Sequence, residues 1–207
     1  MNVPSRDSIR SQIATLVEAN QLDSIDKARL RITITPTSTV LTCSTKIGHA
    51  EAASTITVPF ARNEKSALSG MKTINYGENV VAQRLAMEAN CDEAIFPNTR
   101  DELCEGAWSN IFVLLDGDWL TPPLDSGCLP GVTRSILLKM KKDSLPSIAE
   151  STIPIKGLEQ VESAFLTSSI REVQPVASID GRALHGVNCP VTRAFQEAYR
   201  NFATTGG

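Results

Sequence analysis

The chain has 207 residues and 22.3 kDa, with 42% hydrophobic and 21% charged residues, enough for one sizeable domain or two small ones and far from the composition of a disordered chain. Lys and Arg total 20 against 23 Asp and Glu, a net charge of −3 with pI about 5.5, and no basic run is present, so nucleic acid is not an expected partner. No run of about eighteen apolar residues occurs, and the start Met1-Asn2-Val3-Pro4 lacks a leader-like apolar stretch, so a cytoplasmic protein with no membrane span is expected.

Ile9, Ile13, Leu16 and Val17 recur at helical spacing after Ser5, an N-cap type, and predict an amphipathic helix over 6–19. The alternation in Arg29 to Thr35 predicts a strand with Leu30, Ile32 and Ile34 on one face and Arg29, Arg31, Thr33 and Thr35 on the other, ended by Pro36. β-Prone runs follow at Val40–Cys43 and Thr55–Val58, then the small, polar stretch 63–70, read as a linker and a domain boundary. Beyond it, Val80–Ala89 reads as a helix and Glu93–Phe96 as a short strand. Asp116-Gly117, between Asn110–Leu115 and Trp119–Thr121, is a hairpin signal, and Asp180-Gly181 after Val173–Ile179 is a second. Helices are expected at Val132–Lys142, after Pro130-Gly131, and at Val191–Phe202. Strands and helices mix without strict alternation, which favours an α+β fold with antiparallel pairing.

The five cysteines are widely spaced, odd in number and without a C-x-x-C pair, so neither a disulfide framework nor a zinc site is signalled. His49 and His185 have no ligand-type neighbours in sequence, and a metal site or histidine-based triad is not expected. Three features carry more chemistry. Lys72 follows the linker and, with restricted water access, is an amine nucleophile, although most lysines beside linkers are simply solvated. Leu129-Pro130-Gly131-Val132-Thr133-Arg134 opens a helix whose first N–H groups suit a phosphate, or is a plain Pro-Gly turn. Thr167-Ser168-Ser169 ends an apolar strand with further hydroxyls and N–H groups.

In order and spacing, six stretches resemble the class IV pyridoxal-phosphate enzymes, which include branched-chain and D-amino-acid aminotransferases and 4-amino-4-deoxychorismate lyases. They are Met71 to Tyr76, Asp92 to Ile95, Cys104 to Phe112, Thr121 to Leu124, Leu129 to Arg134, and Phe165 to Ser169. The resemblance implies the two-domain class IV fold with its N-terminal small domain truncated: 1–62 as a remnant of that α/β domain, 63–70 as the linker, and 71–207 as the large cofactor-binding domain. It implies pyridoxal 5'-phosphate as cofactor and a homodimer as the assembly.

Residue by residue, Lys72 matches the lysine that forms the Schiff base with the cofactor and later moves the α-proton. Glu105 matches the carboxylate facing the pyridine nitrogen, an anion that keeps that nitrogen protonated. Tyr76 matches the tyrosine bonded to the ring hydroxyl. Val132 and Thr133 match the helix start that holds the phosphate, and Ser168 and Ser169 the loop over its other side. Asn110 lies in a motif but reads as structural. Arg31 resembles an arginine near the substrate carboxylate, although Pro36-Thr37 stands where relatives often have Arg-Gly. No residue is assigned to the family's phosphate-clamping arginine.

The implied activity is amino-group transfer between a branched-chain-type amino acid and a 2-oxo acid. Thr167 to Val173 is closer to the lyase version of that loop, which keeps 4-amino-4-deoxychorismate lyase as an alternative. A third reading, of another class, is a non-catalytic remnant that binds cofactor weakly.

Overall fold

The computed structural model describes residues 3–25, 27–45, 48–140 and 145–205. The chain divides into two compact units, Met1–Gly48 and His49–Gly207. In the first, Ser5 caps α1 (Arg6–Ala19), its hydroxyl accepting the Ser8 N–H at 3.2 Å, with Asp7 in the first turn. Strands β1 (Arg29–Ile34) and β2 (Thr39–Ser44) form an antiparallel hairpin with Ile32 opposite Leu41. Its turn is closed by the Thr35 hydroxyl, which accepts the Ser38 N–H at 3.0 Å. The expected apolar face of β1 is covered only at Ile34; Leu30 and Ile32 keep 40% and 42% exposure. A two-stranded sheet with a single helix buries little apolar surface within its own unit.

The second unit is built on a nine-stranded mixed sheet. Its strands are β3 (Ala53–Thr57), β4 (Glu93–Pro97), β5 (Leu103–Gly106), β6 (Asn110–Leu115), β7 (Asp118–Thr121), β8 (Ile148–Glu150), β9 (Ser163–Ser168), β10 (Glu172–Ile179) and the short β11 (Arg182–Ala183). They run in the order β5-β4-β3-β10-β9-β6-β7-β8, with β11 on β10. The first half of β10 pairs antiparallel with β9 and the second half parallel with β3, across an irregularity between Val176 and Ser178. The chain after β8 returns to β5, where Leu103 N–H meets Ile153 O at 2.8 Å, so the sheet curls.

Helix α2 (Gly77–Glu88) covers Val58, Ala94, Phe96 and Cys104. Helices α3 (Val132–Lys139) and α4 (Pro190–Thr205) cover an aromatic cluster in which Phe165 stacks on Phe112 at 4.7 Å and meets Trp119 and Phe195 at 5.1 and 5.4 Å. Among the described residues no helix is long and apolar enough to cross a membrane.

The stretch 63–70, read from the sequence as a linker, has no strand or helix and lies inside the second unit; the chain divides between Gly48 and His49. The reason is β3: Thr55, Ile56 and Thr57 pair with Glu93, Ala94 and Ile95, tying residues 53–57 to the large sheet. Helix α3 is shorter than expected, because Met140 is already extended; Lys141 and Lys142 lie outside the described residues.

One ionic cluster fixes the irregular stretch. Glu64 accepts the Thr99 hydroxyl at 2.7 Å and its N–H at 3.1 Å, and sits 3.4 Å from the Arg100 guanidinium. Thr99, with Arg100 assisting, holds the Glu64 carboxyl at about 2, against an ordinary 4.5. A depressed carboxyl stabilises the fold fully above the ordinary value and loses that contribution as pH falls toward about 2. The denaturation midpoint is therefore expected to fall on acidification through this window, and to fall less in Glu64→Gln, measured by urea titrations at stepped pH.

Candidate active site

Residues 63–76 lead into α2 without regular structure, and Tyr76 is the helix N-cap residue. Its side chain makes no capping bond, which leaves the phenol to meet the Lys72 ammonium, the donor of a short hydrogen bond to the Tyr76 hydroxyl. The ammonium also lies 4.9 Å from the centre of that ring, and the ring leans on Trp108 at 5.4 Å. Lys72 is exposed, so restricted access of water is not what marks it; its partner is.

The carboxylate of Glu105 enters from β5, a buried strand. One oxygen accepts the Leu129 N–H at 2.8 Å and the other is 3.4 Å from the Arg62 guanidinium. Burial pushes this carboxyl up, while the Leu129 N–H, Arg62 and Lys72 pull it down. Arg62 was not legible as a site residue. It is nearly buried, donates to Glu78 and Asn79 at 3.1 and 3.2 Å, and lies over the Phe96 ring at 4.1 Å. The sequence offers no signal for it beyond a cation following the small apolar run Val58-Pro59-Phe60-Ala61.

Leu129 is tied at both ends, because its carbonyl accepts the Asn110 amide at 2.8 Å. Asn110 is 5% exposed and pairs across the sheet with Thr167. Its other amide atom packs so close to Gly131 that a Cβ there would lie 2.1 Å from it. Asn110 thus joins three segments: the start of β6, the end of β9 and the loop entering α3. Its structural reading agrees with this geometry.

Val132 and Thr133 open α3, where the first N–H groups of a helix have no partner inside it. Val132 is exposed; Thr133 is buried and its hydroxyl meets the Tyr199 hydroxyl at 3.2 Å. Ser168 ends β9 and its hydroxyl accepts the Arg171 N–H at 3.0 Å, while Ser169 is exposed in the following turn. The Thr167 hydroxyl is buried without a partner among the described residues. The structure therefore brings Lys72 to Tyr76, and through Asn110 it ties the α3 start to the end of β9. Arg31 lies exposed on β1, in the first unit.

The second unit thus carries an amine paired with a phenol, a buried carboxylate, and a helix start tied through Asn110 to the strand end at the serine turn. The family model for class IV amino-transferases matches residues 1–179, and the chain belongs to that family of pyridoxal-phosphate-dependent aminotransferases and lyases.

Among its relatives, the D-alanine aminotransferase of Staphylococcus haemolyticus is 32% identical over 133 residues, 64% of this chain and 47% of that one. The branched-chain-amino-acid aminotransferase of Salmonella typhimurium is 30% identical over 126 residues, 60% of this chain and 41% of that one. The chain spans about half the length of the curated relatives it matches. A Legionella pneumophila structure described as a 4-amino-4-deoxychorismate lyase superposes with a TM-score of 0.85 at 21% identity, covering 97% of this chain and 78% of that one. The branched-chain amino acid aminotransferase of Thermobaculum terrenum in its PLP-form gives 0.77 at 23% identity, over 97% and 71%.

Gly131→Ala is expected to displace Asn110 and lower stability by about 1–3 kcal/mol. Gly77→Ala, where a Cβ meets nothing within 4 Å, does not lower it; thermal unfolding of both variants checks the pair.

Proposed function

We propose that the chain binds pyridoxal 5'-phosphate and transfers an amino group between a branched-chain-type amino acid and a 2-oxo acid. The observation that carries this reading is the Lys72–Tyr76 pair together with the Glu105 anion, whose burial is offset by Arg62 and the Leu129 N–H. The residues present fit the cofactor: Glu105 offers an acceptor, the α3 start comes within reach of the sheet because residue 131 is glycine, and the Thr167 hydroxyl has a bond to give. When bound, the cofactor supplies an aldehyde that links to amines and a ring that withdraws electrons from the substrate α-carbon.

Lys72 is then the amine that holds the cofactor covalently and moves a proton at that carbon. Tyr76 orients the ring through its hydroxyl and competes for the Lys72 ammonium. Glu105 would keep the ring nitrogen protonated, its negative charge accepting the hydrogen bond of that N–H. Val132, Thr133, Ser168 and Ser169 hold the phosphate with N–H and hydroxyl donors, the helix dipole favouring the anion. Arg31 is proposed for the substrate carboxylate, and Arg31→Ala then raises KM. A homodimer in the cytoplasm belongs to the same reading.

Adding pyridoxal phosphate is expected to give a visible absorption band in the protein and none in Lys72→Ala, with borohydride reduction fixing the label on the Lys72 peptide. A label on another lysine overturns the assignment. Glu105→Gln is expected to keep the fold and the label but slow turnover by about a hundredfold or more, the scale on which removing a charge-stabilising group acts. Leucine is expected to bleach the band. The Thr167-Ser168-Ser169 turn supports the lyase as a second reading, and bleaching by 4-amino-4-deoxychorismate with release of pyruvate decides for it.

A further inference from the structure

We propose that the buried Glu93–Arg171 ion pair is a positioning device that sets the Ser168–Ser169 turn against the turn at residues 107–109; its effect on the cofactor phosphate rests on the reading above. Glu93 opens β4 and is fully buried. One of its oxygens accepts the Trp108 N–H at 2.6 Å and the Ser109 hydroxyl at 3.2 Å. The other receives the Arg171 guanidinium, whose second terminal nitrogen reaches the Gln174 amide oxygen. Gln174 in turn donates to the Ala50 carbonyl at 2.7 Å.

Arg171 closes the β9–β10 turn from within, since its own N–H donates to the Ser168 hydroxyl and the next residue, Glu172, adopts a left-handed φ of 56°. One carboxylate thus joins two turns: the one between Glu105 and Asn110, and the one that carries Ser168 and Ser169. Gly106 leaves room for the junction, because a Cβ there would stand 2.4 Å from the Ser109 hydroxyl and 2.8 Å from Glu93.

A buried ion pair adds little stability over apolar side chains of similar size. What it adds here is direction. The guanidinium fork accepts few orientations, so the turn is held at a fixed height relative to the 107–109 turn. An apolar pair would fill the same space and leave the turn free to rock.

The test is the double variant Glu93→Gln/Arg171→Met, which removes both charges, alongside Arg171→Lys, which keeps the charge and loses the fork. Binding of pyridoxal phosphate and of pyridoxal, which lacks the phosphate, is titrated by absorbance, and amide hydrogen exchange is followed by mass spectrometry. In both variants pyridoxal phosphate is expected to bind about tenfold or more weaker, on the scale of one charge-assisted bond, while pyridoxal changes less than about twofold. Exchange is expected to quicken at 107–109 and 168–172 and nowhere else. Equal weakening of both ligands, or unchanged exchange in the two turns, overturns the proposal. If the unaltered protein binds neither ligand, the cofactor reading fails by itself, and quickened exchange confined to the two turns still decides for the clamp.

Discussion

Two carboxylates are withdrawn from bulk water, and satisfying them dictates how the segments around β4 and β5 run. Glu93 and Glu105 lie on neighbouring strands, and burial pushes both carboxyls up. An unpaired buried charge is strongly unfavourable, so each has drawn in one arginine and one backbone N–H. Glu105 has Arg62 and Leu129; Glu93 has Arg171 and Trp108. These four partners come from four different stretches of chain. Meeting the charge requirement therefore fixes where the segment before Lys72, the loop before α3, the 107–109 turn and the β9–β10 turn meet.

The rest of the second unit gives this polar cluster a rigid base. Phe112, Trp119, Phe165 and Phe195 pack as a continuous aromatic group under α3 and α4, and such packing resists displacement of the strands that end at Asn110 and Ser168. Asn110 then transmits the position of the sheet to the loop. Its amide holds the Leu129 carbonyl while Glu105 holds the Leu129 N–H. With both ends of one residue fixed, the start of α3 has little freedom to tilt.

Local signals in the sequence were sufficient where one residue type answers one backbone demand. Asp116-Gly117 and Asp180-Gly181 adopt left-handed φ at both positions, 52° and 85°, then 50° and 79°, as the tight hairpin turn requires. Ser5 caps α1 as its side chain suggests. The β5 strand escaped notice because four buried residues, Leu103-Cys104-Glu105-Gly106, show neither alternation nor an apolar run. A strand's composition does not say which sheet it joins, and β3 joins the larger one through β4 and β10. Tyr76 and Glu105 were legible only as parts of a family pattern, whereas Lys72 also stood out as an amine just beyond the 63–70 stretch. Their supports were not: Arg171 reaches Glu93 from 78 positions away, a separation that periodicity does not register.

The direction of the Glu105 shift bears on how such a site works. Desolvation opposes its charge, and Arg62, the Leu129 N–H and Lys72 oppose desolvation. In the proposed reading, a protonated ring nitrogen set against the carboxylate would act in the same sense as Arg62 and Lys72, so cofactor binding and Glu105 ionisation would reinforce each other. Arg62 is tied at the same time to Glu78 and Asn79 in α2, the helix that begins next to Tyr76. The charge at Glu105 and the placement of Tyr76, and hence of the Lys72 amine bonded to it, therefore share one guanidinium, and altering Arg62 disturbs both ends of the proposed ring at once.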